Sequence, residues 1–333
     1  MSTDADVIVI GAGPGGLSCG AYLTAVGKRV IVVDRHTVPG GNMSCFTHRD
    51  PATDDQYEFD VGLHYLGSCG PRGTMPSVLE PLGIRPEYLP MDQSGYDTLL
   101  FESGAVEQFR VPAGLGNYRD ALATSFPTEL EAIDTYVGLL RDVRTVMSKA
   151  SRVRNPKQAV DILGPGYRTL RVMSATLGDV FDRIGASPRL RTVLAGIGGT
   201  YAVAPSKVSF LAHAGVFLHY AGGAWYPRGG GQPIADALLR VITDNGGQVL
   251  LRTQVDEILL EGGAAVGVRV RRPAADRRRG LSDTITAPIV VSNADLKRTF
   301  TELLPAEAVP AKLRTRMRQA TMAVPLHVEY VIL

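Results

Sequence analysis

Apolar residues follow two different rhythms along this chain. Val7–Ile10 ("VIVI") and residues 29–33 ("RVIVV") are unbroken runs rich in β-branched side chains, the pattern of strands buried on both faces of a parallel sheet. Residues 14–26 between them read as a helix with Pro14 in its first turn, and Gly27 ends it. Strand patterns return at 248–251, 255–260 and 266–270, with a turn at Glu261-Gly262-Gly263, and again at 285–291. In the middle of the chain the spacing is helical. Pro127 is read as opening a long helix whose stripe is Leu130, Ile133, Val137, Leu140 and Met147, with Glu129, Asp134, Arg141 and Arg144 outside it. Pro188 starts another helix after "GAS", and Ile234, Leu238, Leu239 and Ile242 mark an amphipathic helix near 232–243. Residues 208–227 hold no Asp, Glu, Lys or Arg and approach a membrane-spanning length, but His213, His219 and Gly222-Gly223 break the apolarity. The expectation is a buried helix capped by Ser206 beside an apolar pocket.

The turn between the first strand and helix carries chemistry. Gly11, Gly13 and Gly16 stand in G-x-G-x-x-G spacing immediately after the strand. Gly11 permits the tight turn, Gly13 lets backbone approach a pyrophosphate, and Gly16 lets the helix pack against the strand; the free N–H groups at the start of that helix then face the phosphates. Asp34, closing the second strand, is placed to accept from the 2′- and 3′-hydroxyls of a ribose and disfavours a 2′-phosphate there. NAD and FAD share this ADP half. Three features favour FAD: Gly40 and Gly41 offer a second close backbone approach, the remaining strands of the sheet come late in the chain, and no second G-x-G-x-x-G stands in strand context. The "GGG" at 229–231 follows Tyr226-Pro227-Arg228 instead.

Composition narrows the setting. With 333 residues, 45% hydrophobic and 20% charged, the chain is globular and long enough for two lobes. A net charge of +2 supplies no field for nucleic acid, so no nucleic-acid partner is expected. Cys19, Cys45 and Cys69 have neither metal-knuckle spacing nor an even count, which points to a reducing compartment and small packed side chains rather than reactive thiols. "MSTDAD" is no secretory leader, so a cytoplasmic chain is expected. Six arginines between Arg269 and Arg279 read as a solvated loop tip, with contact to an anionic membrane surface as the alternative. The organisation read from these elements is a nucleotide-binding segment at 1–70, an inserted substrate lobe at 71–222, a return segment at 223–300 and a further lobe segment from 301 to 333.

"DRHTVPGGNMSCF", "YEFDVGLHYLG", "YAGGAWYPRGGGQPIADAL" and "VSNADLKRTF", in this order, resemble the flavoprotein family of phytoene desaturases, carotenoid isomerases and retinol saturases. The resemblance implies an α/β fold: a Rossmann-like FAD-binding domain of the glutathione-reductase type with an inserted, largely helical substrate lobe. It implies that Gly11, Gly13, Gly15 and Gly16 hold the pyrophosphate of FAD, that Asp34 and Arg35 lie at the adenosine ribose, and that Gly40 and Gly41 pass along the ribityl chain. Val255 would pair with the adenine edge and Asn293-Ala294 would close the sheet above it. Gly62, Leu63, His64 and Tyr65 would line the isoalloxazine, His64 and Tyr65 being the catalytic candidates; for His64 the alternative is a buried, hydrogen-bonded histidine. The implied activity is redox chemistry on carbon–carbon double bonds of an apolar lipid, with a quinone, oxygen or a separate reductase exchanging the electrons. Family members continue beyond "HVEYVIL" to a last glycine-rich flavin segment, so a shortened member is expected, and "VEYVIL" reads as a strand edge open to a second chain. The competing readings are a non-catalytic, partner-completed chain and, further off, an amine oxidase of the same fold.

Overall fold

The computed structural model describes residues 3–71, 73–102, 106–150, 172, 174–273, 282–322 and 327–331. They divide into two compact units: residues 1–64, 74–88 and 227–321 form one, and 65–73, 89–226 and 322–333 the other.

The first unit is built on a four-stranded parallel sheet. Its elements are β1 (Val7–Ile10), α1 (Pro14–Ala25), β2 (Val30–Val33), β3 (Cys45–Arg49), β4 (Gln56–Asp60), α2 (Gln232–Asp244), β5 (Gln248–Leu250), β6 (Gln254–Glu261), β7 (Ala264–Arg271), β8 (Thr284–Thr286) and β9 (Ile289–Ser292). The parallel sheet runs β5-β2-β1-β9, so the two strands nearest the start of the chain are flanked by two that arrive late. Ile8 and Val32 are fully buried, as the unbroken apolar runs require. A second, antiparallel sheet runs β6-β7-β8, and β3 and β4 form a hairpin.

The expected strand at 285–291 is two strands in two sheets. Pro288 lies between them; it has no N–H to give a ladder and fixes its own φ, so the chain leaves the antiparallel sheet after Thr286 and enters the parallel one at Ile289. Within the arginine cluster, Arg269 pairs with Glu257 (3.0 Å) and Arg271 with Asp256 (2.8 Å) across β6 and β7. Arg277, Arg278 and Arg279 lie outside the described residues.

The second unit is mainly helical, with an antiparallel hairpin of Asp97–Glu102 and Val106–Val111. Its long helix is Leu130–Ala150 and starts three residues after Pro127, because residues 126–129 form a turn closed by Glu129 N–H donating to Phe126 O. The Glu129 carboxylate is then free to accept from Ser187 N–H (2.8 Å) and Ser187 Oγ (2.7 Å), anchoring the start of the helix Pro188–Leu194. Ile133, Val137 and Leu140 of the expected stripe are fully buried, whereas Leu130 and Met147, at its ends, are exposed. The helix that Pro188 starts ends at Leu194, and the chain continues as a 3-10 turn through Gly196–Thr200, where three glycines lower helix propensity.

The uncharged stretch 208–227 is a helix of 11 residues, Phe210–Tyr220, followed by the strand Ala224–Pro227. Among the described residues no helix is long and apolar enough to cross a membrane. Ser209 rather than Ser206 occupies the N-cap: Lys207 and Val208 N–H both turn back to Ala204 O, and Ser209 bridges to Thr176. Of "VEYVIL", expected as a strand edge, residues 328–331 are in no strand, with Val328, Tyr330 and Val331 exposed, and residues 332 and 333 lie outside the described residues.

His213 is fully buried in this helix, its Nε2 2.6 Å from the Tyr136 hydroxyl and its Nδ1 2.8 Å from that of Tyr201. A neutral imidazole offers one donor and one acceptor, which suits two hydroxyls, and burial pulls its pKa down to about 4. An unfolded histidine titrates near ~6.5. Below that pH the unfolded chain takes up a proton that the folded chain refuses, so stability is complete above pH ~6.5 and falls as pH drops toward ~4. Urea midpoints should show a loss of about 2–3 kcal/mol between pH 7 and pH 4.5 in excess of that in a His213→Gln variant. Equal pH slopes for the two proteins would remove this assignment.

Candidate dinucleotide site

The glycine turn is fixed by the backbone around it. Gly11, at φ +99°, donates its N–H to Val33 O (2.8 Å), which ties the end of β1 to the end of β2. A Cβ on Gly16 would lie 1.9 Å from Gly11 O, so only glycine lets α1 come this close to the turn. Gly13 is different. Its φ of −72° suits any residue, and the nearest atom to a Cβ placed there is Asn293 Nδ2 at 3.8 Å. The protein itself leaves room at Gly13, on the wall of a cavity of about 240 Å³. That is below the usual ~300–1,000 Å³ of a site that swallows a whole ligand and suits one end of a longer molecule.

The cavity brings together Gly11, Gly13, Asp34, Arg35, Val255, Asn293 and Ala294 from the sequence-predicted set. Asp34 Oδ2 accepts from Ala12 N–H (2.6 Å) and Oδ1 from His36 N–H (2.7 Å). A carboxylate has about four acceptor positions, so each oxygen keeps one open. Arg252 adopts a left-handed φ of +52°, and the chain doubles back so that Arg252 N–H reaches His36 O and Thr253 N–H reaches Asp34 O, both at 2.8 Å. This reversal carries Val255 to the cavity wall. Asn293 sits over the start of α1: a Cβ on Gly15 would be 2.8 Å from its Oδ1. Its N–H donates to Ile10 O (2.8 Å), which continues the parallel pairing one residue beyond β9.

Gly40 and Gly41 stand behind the turn rather than on the cavity wall. Gly40 N–H donates to Ala12 O (2.8 Å), and a Cβ on Gly41 would press on Gly13 Cα at 3.2 Å. Gly62 packs on Asn42 of the same turn, and Leu63 is buried. His64, the last residue before the chain leaves the first unit, is exposed and makes no hydrogen bond to a described residue; the alternative of a buried, hydrogen-bonded histidine is therefore not met. Tyr65 belongs to the second unit, where its hydroxyl donates to Asp97 Oδ2 (3.0 Å); burial, then Asp97, raise its pKa. Its proton is therefore committed to a carboxylate. Burial and the Asp60 carboxylate push the Cys45 thiol up to about 12, and burial does the same for Cys69, so both stay protonated at neutral pH.

Sequence reasoning missed His36, Thr253, Gln254, Asp295 and Arg298, which also line the cavity. Asp295 carried a readable signal as a helix cap, three residues before Arg298, whose N–H it accepts at 2.8 Å. Arg298 carried none. Its Nε is buried and ion-paired with Glu302 Oε2 at 2.9 Å. No group of His, Cys, Asp and Glu with metal-binding geometry occurs among the described residues.

The fold and this cavity define a Rossmann-type dinucleotide-binding protein, and residues 9–81 match the family model of an NAD(P)-binding Rossmann-like domain. All-trans-retinol 13,14-reductase of Danio rerio is 31% identical over 313 residues, covering 91% of this chain and 50% of that protein. Chloroplastic prolycopene isomerase of Daucus carota is 24% identical over 322 residues, covering 93% of this chain and 49% of that protein. These similarities agree with the family resemblance that its motifs implied. It spans about half the length of the curated relatives it matches. Cyclohexylamine oxidase from Brevibacterium oxydans shares the fold at a TM-score of 0.60 and 18% identity, covering 96% of this chain and 64% of that one.

Proposed function

We propose that this chain serves an FAD-dependent oxidoreductase acting on carbon–carbon double bonds of an apolar isoprenoid, such as a carotenoid or retinoid. The observation that carries the reading is Gly13: a glycine that its own fold does not require, facing a cavity whose other wall is Asp34. A pyrophosphate passing over Gly13 explains the missing side chain, and the free N–H groups at the start of α1 meet its charge. Asp34 accepts from the adenosine ribose, Val255 flanks the adenine, and Asn293 holds the turn in register. When bound, FAD supplies hydride exchange with carbon, leaving the protein to orient the substrate and exclude water.

The substrate class follows from what the named relatives act on. Retinol and prolycopene are conjugated hydrocarbon chains with at most one hydroxyl, and burying such a chain yields ~0.8 kcal/mol per CH₂ with little need for polar anchors. Tyr65, its proton held by Asp97, fits a positioning role better than that of an acid. Electrons pass to or from a quinone, oxygen or a separate reductase. Desaturation, saturation and isomerisation all agree with this site.

The test is direct binding. Titrating the purified chain with FAD should quench flavin fluorescence, and ADP should reverse the quenching by competing for the Asp34 end. Stoichiometric NADPH binding without affinity for FAD would overturn the reading.

A further inference from the structure

The segment "YPRGGGQ", residues 226–232, carries part of the family resemblance yet supplies nothing to the cavity at Gly13. Its last residue is occupied elsewhere. Gln232 Oε1 accepts from Cys45 N–H (3.2 Å), while Nε2 donates to Pro39 O (3.2 Å) and to Asp236 Oδ1 (2.8 Å). Pro39 and Cys45 are the two ends of the turn containing Gly40 and Gly41, so one amide group spans that turn from start to finish. The turn needs holding, because Gly40 and Gly41 take φ of +120° and +55°, which few other residues tolerate. Asp60 backs the same clamp: its Oδ1 accepts from Gly231 N–H (3.0 Å) and from Cys45 Sγ (3.1 Å), and a Cβ on Gly230 would lie 2.8 Å from that oxygen. The turn in turn leans on the glycine loop through Gly40 N–H to Ala12 O and through Gly41 against Gly13.

We propose that Gln232 is the positioning residue of the Gly40–Gly41 turn, holding it in register with Gly13 so that an extended dinucleotide, and not merely its ADP half, is bound. The proposal rests on the FAD reading above. Gln232 is not on the wall of the Asp34 cavity, so it acts through the turn.

Gln232→Glu keeps the shape and the acceptor for Cys45 N–H but sets an anionic oxygen against Pro39 O and the Asp236 carboxylate. Two hydrogen bonds are lost, and affinity for FAD, read by flavin fluorescence, should fall about tenfold or more. Affinity for ADP, read by calorimetry, should change less than about twofold. Without any nucleotide, the amides of Gly40, Met43, Ser44 and Cys45 should exchange faster while that of Leu17 keeps its protection. Gln232→Met, which removes the hydrogen bonds without adding charge, should show the same pattern and serves if the glutamate variant does not fold. Equal losses for FAD and ADP would make the residue a general stabiliser and overturn the proposal, as would unchanged FAD affinity with unchanged exchange. If the wild-type chain binds neither nucleotide, the FAD reading falls, and amide exchange alone decides whether Gln232 holds the turn.

Discussion

A Gly13→Val variant should fold as the wild type does and bind no flavin. The backbone at Gly13 has φ −72° and ψ 175°, an extended conformation that valine adopts readily, and the nearest atom to its Cβ would be 3.8 Å away. Loss of backbone freedom in the unfolded chain favours the substitution, while valine is a poor N-cap for α1; the two effects oppose, and stability should change by less than about 1 kcal/mol. Binding has no such compensation. Branched methyl groups would fill the space that brings backbone N–H groups to the pyrophosphate, and FAD affinity should drop at least about a hundredfold, or ~3 kcal/mol. Parallel urea denaturation and fluorescence titration read the two quantities separately. Full FAD affinity in this variant would remove Gly13 from the site and the proposed function with it.

Gly16→Ala should do the opposite. A methyl group placed 1.9 Å from Gly11 O and 3.2 Å from Asn293 Nδ2 cannot be met by a side-chain rotation, because the first obstacle is backbone. α1 would have to lift from the end of β1, opening contacts made by Leu17 and Ala21, both fully buried. Overpacking at such a place costs about 3 kcal/mol, which for a chain of this size lowers the melting temperature by roughly 4 °C. A circular-dichroism melt on the chain without nucleotide measures it, and an unchanged midpoint would contradict the close approach of helix and turn. Two glycines of one motif thus answer to different demands, one to the ligand and one to the fold.

How much of this could be read beforehand depends on how local the cause is. β1, α1, β2 and Asp34 were legible because a buried parallel strand, a glycine turn and a terminal acid declare themselves within a few residues. The late strands were legible as strands, but their partners were not: whether 285–291 is one strand or two depends on Pro288 sitting where the chain changes sheets. Arg298 reaches the cavity because the chain after β9 folds over it, and nothing in its neighbours announces that. Gln232 looked like the first turn of an ordinary amphipathic helix; its partners Pro39 and Cys45 lie far upstream, beyond any periodicity. The Tyr136–His213–Tyr201 cluster was likewise invisible, since each residue alone is a common core side chain.

The placement of β1 and β2 between β5 and β9 has a consequence for biogenesis. As the polypeptide leaves the ribosome, β1 and β2 emerge about 215 residues before the first strand that flanks them and wait, both edges unpaired, until Gln248–Leu250 and then Ile289–Ser292 have been translated. Pairings of such long separation form late and slowly. The contiguous stretch from Leu89 to Tyr226 has its own buried core and can collapse during that wait. Apolar edges left open in the meantime are natural clients for a holdase chaperone, so the yield of native protein should respond to chaperone supply and growth temperature more strongly than to cofactor supply.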